Sequence, residues 1–205
     1  MSVALLRSAF DETIALHQRV RDGDAAAVVR AAAAIVEALK RGGKLLVFGN
    51  GGSAADAQHV AAELVGRFQR ERIALAAVAL TTDTSVLTSV ANDYAFDRVF
   101  ARQIEALGRG GDVALGISTS GASPNVVAAL EAAHGLGMQT IALTGADGGA
   151  VGRAAAIHIN VPSPATARVQ EVHRTLLHVI CELVELSFAR TEDTKGTKEH
   201  KGLSR

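Results

Sequence analysis

Five short apolar runs, each followed by a stretch of helical character, constrain this chain more than any other feature. They occupy residues 44–48, 75–80, 112–117, 139–143 and 156–161. Most are nearly unbroken in Val, Ile, Leu and Ala, the pattern of strands covered on both faces. Helices are predicted between them over 54–68, 86–107 (broken near Asn92) and 124–136, with a last long helix over 168–189. Strand–helix–strand alternation of this kind builds a parallel sheet with right-handed crossovers. The predicted class is therefore α/β, a five-stranded parallel sheet flanked by helices.

Ahead of the first run lies a helical extension. Leu5, Leu6, Phe10, Ile14 and Leu16 follow helical spacing, Asp24 can cap a second helix running to Lys40, and Gly42-Gly43 closes it. Residues 1–190 read as a single domain. The tail, 191–205, is polar with no apolar face and is predicted to be poorly ordered, so His200 reads as a solvated residue.

Charge and cysteine usage exclude several functions. Lys plus Arg and Asp plus Glu both total 21, so the net charge of zero argues against a nucleic-acid binder or a polybasic membrane-surface protein. No apolar stretch approaches a membrane span, and the N-terminus lacks a signal-peptide pattern. Cys181 is the only cysteine, so no disulfide framework exists, in keeping with a cytoplasmic protein; the thiol reads as a buried small hydrophobe.

The chemistry concentrates where the first run ends. Phe48 leads into Gly49-Asn50-Gly51-Gly52-Ser53, small residues whose backbone N–H groups can approach an anion at a helix N-terminus. On the helix that follows, His59 and Glu63 stand four residues apart and share a face. The third run ends in Ser118-Thr119-Ser120-Gly121-Ala122-Ser123, four hydroxyls in six residues without one basic side chain. One N-cap would account for one hydroxyl, not four. Both loops fall at the carboxyl edge of the predicted sheet, where ligands of such sheets bind. Together they read as a phosphate grip.

The last helix offers Gln170, Glu171, His173 and His178 to complete a site with His59 and Glu63. Imidazole and carboxylate suit zinc. Gln170 and His178 lie eight residues apart, roughly 12 Å along an ideal helix, whereas Glu171 and His178 align better by angle. Spacing alone leaves that choice open. Asn92-Asp93 reads either as a turn or as a contact to substrate hydroxyls, which Asp83 and Thr84 could join. Residues 147–149 read as a plain turn, Arg67 as a surface ion pair, and His17, His134 and His158 as structural histidines.

Taken together, Gly-Asn-Gly-Gly-Ser-Ala-Ala-Asp-Ala-Gln-His (49–59), Ala-Asn-Asp (91–93), Gly-Ile-Ser-Thr-Ser-Gly-Ala-Ser (116–123), Leu-Thr-Gly-Ala-Asp-Gly-Gly (143–149) and Arg-Val-Gln-Glu-Val-His (168–173) resemble the sugar isomerase (SIS) domain family. Within it they are similar to the branch that isomerises sedoheptulose 7-phosphate, over roughly residues 5–190. The resemblance implies a flavodoxin-like fold and a cytoplasmic homotetramer with active sites between subunits. It implies an aldose–ketose isomerase producing D-glycero-D-manno-heptose 7-phosphate through an enediol, as the first step toward nucleotide-activated heptose for products such as lipopolysaccharide.

Carried over position by position, the resemblance puts zinc ligands at His59, Glu63, Gln170 and His178. Substrate contacts fall on Asn50, Gly51, Gly52, Ser53, Glu63, Asn92, Asp93, Ser118, Thr119, Ser120, Ser123 and Gln170, and the acid/base pair on Glu63 and His178. Rival readings are a non-enzymatic relative that binds the replication initiator, an isomerase of another phosphosugar, and a sugar-phosphate-sensing module. The presence of both Glu63 and His178 favours the enzyme.

Overall fold

The computed structural model of the protein describes residues 2–23 and 25–189, so the cap expected at Asp24 and the tail 191–205 lie outside the described residues. Five parallel strands, β1 (Leu45–Gly49), β2 (Ala77–Ala79), β3 (Val113–Ser118), β4 (Gln139–Gly145) and β5 (Ile157–Val161), stand in the order β2-β1-β3-β4-β5. Register is continuous, with Leu45 opposite both Ala77 and Val113, Val113 opposite Gln139, and Ile141 opposite Ile157.

The central strands are buried on both faces, as their unbroken apolar runs require: β1 and β3 are buried at every position. The two edges differ. β5 alternates buried and half-buried residues, and β2 keeps only three residues in the ladder. Successive β1 side chains part to opposite faces. Leu45 and Val47 join the core formed with α2 (Ala25–Lys40), α3 (Gly52–Val65) and α8 (Thr166–Leu186). Leu46 and Phe48 join the core formed with α5 (Ala101–Leu107), α6 (Pro124–Gly135) and α7 (Gly149–Arg153).

Three local departures from the sequence reading bear on the site. First, α3 starts at Gly52 rather than 54, so Gly52 and Ser53 already form its first turn, with the Ser53 N–H donating to the Asn50 carbonyl at 2.9 Å. Second, the helix predicted over 86–107 divides into α4 (Thr84–Asp93), a 3₁₀ turn (Phe96–Arg98) and α5. Asp83 is engaged as the N-cap of α4, accepting from the Val86 N–H at 3.0 Å. Third, residues 147–149 do turn, but the turn launches the unpredicted α7. A Cβ on Gly149 would lie 2.4 Å from the Gly121 carbonyl, so only glycine lets this turn pack on the hydroxyl loop.

The N-terminal α1 (Val3–Arg21) is a helix, yet only Leu16 of it is buried. It is moored on α8 by polar contacts: Thr13 to Glu171, His17 to Thr175 at 2.9 Å, and Arg168 to the Ala9 carbonyl at 2.7 Å. Val3, Leu5, Leu6, Phe10 and Ile14 stay 53–73% exposed. Beside the C-terminal end of α1 runs a groove of about 770 Å³, whose lining includes Val20, Val28, Val172, Leu176 and Val179. No helix among the described residues is long and apolar enough to cross a membrane.

Candidate active site

The sheet order reverses between β1 and β3, and the crevice beyond their carboxyl ends is where a fold of this kind receives a ligand. Both predicted loops meet there. The Asn50 and Asn125 side chains exchange a pair of hydrogen bonds, 2.9 and 2.8 Å, that ties the loop after β1 to the start of α6. Sequence reasoning had assigned Asn125 no role. Its signal was position: it follows Pro124 at the first turn of a helix and is almost completely buried.

In the second loop the Ser118 and Ser123 hydroxyls are 2.9 Å apart, and the Ser120 hydroxyl accepts the Ala122 N–H at 3.2 Å. Ser118 and Ser53 are buried, Thr119 and Ser123 half-buried, and Ser120 exposed. The hydroxyls thus line one side of the crevice, at the N-termini of α3 and α6, where backbone N–H groups and helix dipoles favour an anion.

Glu63 and His59 project from α3 toward α8, as their spacing predicts. His178 of α8 meets them: its Nε2 is 2.7 Å from His59 Nε2, a hydrogen bond one of the two rings donates. His59 Nε2 lies 3.4 Å from Glu63 Oε1. All three side chains are partly exposed to the crevice. The rings of His59 and His178 stand edge to face, and Phe68 covers the His178 ring at 5.4 Å between centroids. Burial lowers the His178 pKa, helped by His59 and Arg174 and opposed by Glu63 and Asp56. The shift favours the neutral ring, the form whose nitrogen lone pair can bind a metal.

Gln170 stands apart from that trio. It lies in the regular part of α8 rather than at a frayed start, so its distance from His178 is not shortened. Its amide sits over Gly52, where a Cβ would come within 2.0 Å of Gln170 Nε2, and reaches toward Asp56 Oδ2 at 3.4 Å. Three of the four expected donors therefore converge within one chain, and the fourth faces the phosphate loop. Among the described residues, no three His, Cys, Asp or Glu side chains form a ready-made metal cage. Two imidazoles and a carboxylate are nevertheless a donor set that zinc accepts at catalytic sites.

Asn92 and Asp93 are brought to neither loop by any hydrogen bond. They are exposed at the end of α4, with Asn92 Nδ2 donating to Asp93 Oδ1 at 2.8 Å. Arg67 pairs with Glu71 at 4.0 Å on the surface. His158 donates to or accepts from the Thr144 hydroxyl at 2.6 Å, a structural contact as expected. Glu171 is taken by Arg168 and Thr13 at the α1 mooring, and His173 is fully buried, which removes both from the site.

Sequence reasoning missed Asp56. Fully buried on α3, it holds Arg174 of α8 at 2.8 Å through Nε and draws in Gln170. The signal was available, because Asp56 stands three residues before His59 on the same helix face. Without a partner in view, a lone carboxylate among alanines carried no meaning.

The sequence and the fold are shared with known proteins. The SIS domain model matches residues 10–145. A phosphoheptose isomerase of Roseiflexus sp. strain RS-1 is 55% identical over 175 residues, spanning 85% of this chain and 89% of that protein. Among solved structures, the phosphoheptose isomerase of Neisseria gonorrhoeae is 48% identical with a TM-score of 0.85, covering 89% of this chain and 98% of that one. That of Francisella tularensis is 40% identical with a TM-score of 0.87, covering 91% and 99%.

Proposed function

The chain belongs to the SIS domain family and, within it, to the phosphoheptose isomerases, and from that membership we propose that it interconverts sedoheptulose 7-phosphate and D-glycero-D-manno-heptose 7-phosphate. The observation that carries the reading is the meeting of His178 with His59 and Glu63 beside a crevice whose other wall is hydroxyls and helix N-termini. An aldose–ketose isomerase needs that combination: one end of the sugar held by its phosphate, the other beside two proton-handling groups.

The phosphate is bound by Ser53, Ser118, Thr119, Ser120 and Ser123 with the N–H groups of the Asn50–Gly52 turn. Glu63 takes a proton from C1 of the ketose and returns it to C2 of the cis-enediol. His178, neutral at rest, carries the hydroxyl proton between the two oxygens, so that O2 gains a proton as C1 loses one and O1 gives one up as C2 regains it. His59, hydrogen-bonded to His178 and 3.4 Å from Glu63, holds the two groups in register. Gln170 and Gly52 border the middle of the sugar.

Zinc fits the donor chemistry of His59, Glu63 and His178, and when bound it would polarise the sugar oxygens and stabilise enediolate charge. Gln170 would join as a fourth ligand only by leaving Gly52 and Asp56.

The working form is a homotetramer in the cytoplasm. The exposed apolar ridge of α1 and the groove beside it supply the surface for association. Asn92 and Asp93, at the end of an α4 that buries none of its residues, contribute to sugar binding in the assembled enzyme. The deciding experiment follows sedoheptulose 7-phosphate by NMR with and without a chelator. Appearance of the aldoheptose phosphate supports the reading, its absence at full zinc loading rejects it, and unchanged turnover after chelation rejects the metal.

A further inference from the structure

Glu185 is fully buried on α8, two turns beyond His178 and on the same side of the helix. A carboxylate there must be compensated, and it is. Its oxygens accept the N–H groups of Phe68 at 3.0 Å, Gln69 at 2.9 Å and Arg70 at 2.9 Å. Arg72 Nε stands 3.6 Å away, and both side chains of that pair have no exposed surface. Three successive backbone donors and a guanidinium thus enclose one carboxylate at the far end of α3.

Arg72 continues the connection. Its NH2 donates to the carbonyl of Glu63 at 2.7 Å, and its NH1 to those of Leu64 at 2.8 Å, Gly66 at 2.9 Å and Ile73 at 2.9 Å. The carbonyls of Glu63, Leu64 and Gly66 lie at the end of α3, which leaves them without an intrahelical partner, and a cation is favoured there. The chain of contacts therefore runs from the backbone of Glu63 through Arg72 to Glu185, and along α8 to His178. It also fixes the backbone of Phe68, whose ring lies on His178 with 32° between the planes.

We propose that Glu185 and Arg72 are positioning residues for the isomerisation, acting through the Phe68 ring on His178 and through the α3 terminus on Glu63. The inference rests on the reading of Glu63 and His178 as the proton-handling pair. A plain helix-end anchor would need the carboxylate and the guanidinium but would have no use for an aromatic ring seated on the imidazole. The predicted consequence falls on the chemical step, since a small misplacement of an acid/base group slows turnover without loosening a phosphate grip built on other loops.

The test compares Phe68→Leu, Phe68→Tyr and Glu185→Gln in the zinc-loaded full chain. The readouts are kcat and KM for sedoheptulose 7-phosphate and the NMR signal of the His178 ring Cε1–H, which the ring current of Phe68 displaces. Phe68→Leu should move that signal and lower kcat about tenfold, with KM held within about twofold. Phe68→Tyr should restore both. Glu185→Gln, which leaves a donor facing donors, should reproduce the Phe68→Leu pattern. A folded Glu185→Gln protein with wild-type kcat and an unmoved His178 signal overturns the proposal. Should that variant not fold, Phe68→Leu decides alone: a moved signal with wild-type kcat overturns it equally. If the wild-type protein does not turn over the heptose phosphate, the function fails while the His178 signal still reports whether Glu185 sets the place of the ring.

Discussion

The seam between α3 and α8 and the two flanks, α1 packed on α8 and α4 packed against the opposite face of the sheet, are all helical, and they differ in what a single chain can finish. Two buried carboxylates clamp the seam from opposite sides: one clamp is Asp56, reaching from α3 to Arg174, and the other is Glu185, reaching from α8 to the chain beyond α3. Between them sit His59, Glu63 and His178. Among the described residues neither flank is tied by a buried carboxylate, and α1 is moored on α8 by the more exposed contacts of Thr13, His17 and Ala9. α4 buries nothing and α1 only Leu16, while Phe10 and Ile14 face outward. Candidate residues on the seam are already in contact, and those on the α4 flank, Asn92 and Asp93, touch one another. The proton-handling contacts are made within one chain, whereas Asn92 and Asp93 are tied to neither loop.

Glu63→Gln tests the seam most severely. It keeps shape and hydrogen bonding but removes the base, so turnover measured by NMR should fall about 10³-fold. The oligomer and the affinity for a phosphorylated ligand should not change. Near-normal turnover would end the assignment of Glu63 as base.

Breaking the α1 flank should cost less chemistry and more structure. Charges at Phe10→Glu with Ile14→Glu would sit in an apolar contact and should convert the oligomer to a species near the 21.2 kDa chain mass in sedimentation. Activity should fall more than about tenfold if the sugar site spans copies. Full activity from the single chain would mean that the seam and the two loops suffice.

Within the crevice, Ser120→Ala with Ser123→Ala removes hydroxyls without touching either clamp. Hydrogen bonds to a charged phosphate contribute about 1.5–3 kcal/mol each. KM should rise about tenfold or more, with kcat altered less than about twofold. A fall in kcat at constant KM would instead place those hydroxyls near the reacting carbons.

What the sequence disclosed follows from the range over which each signal acts. The strands were legible because burial on both faces leaves unbroken apolar runs, and the two loops because glycine and hydroxyl density is local. His59 and Glu63 were visible as an i,i+4 pair. Asp56, Arg72 and Glu185 were not, since their meaning lies in partners 113 to 118 residues distant, such as Arg174 for Asp56 and Glu185 for Arg72. Gln170 shows the same limit from the other side. The resemblance names it a metal ligand, and its amide lies over Gly52 and reaches toward Asp56, a placement no local pattern announces. α7 escaped because its five residues include two glycines, and glycine disfavours helix.

The smallest effect concerns His173, which immediately precedes Arg174 on α8 but plays no part in the crevice. Its Nε2–H donates to the Thr144 carbonyl at 2.9 Å, which in the neutral ring leaves the lone pair on Nδ1. That Nδ1 is buried without a hydrogen-bond partner among the described residues. Burial lowers the His173 pKa against the smaller opposing pulls of the Thr144 carbonyl and Asp56. A histidine whose folded pKa is depressed binds more protons unfolded than folded, so its neutral burial favours the fold fully above the unfolded pKa of about 6.5. That contribution declines as pH falls through 6.5 toward the folded value. His173→Asn should lose roughly 1–2 kcal/mol in urea unfolding at pH 7.5, for the lost packing and hydrogen bond, and less at pH 5.5, where the wild-type ring is itself a liability. An equal loss at both pH values would show that the ring titrates alike in the folded and unfolded chain. The turnover number at pH 7.5 should stay within about twofold of wild type, because neither clamp nor either loop relies on this ring.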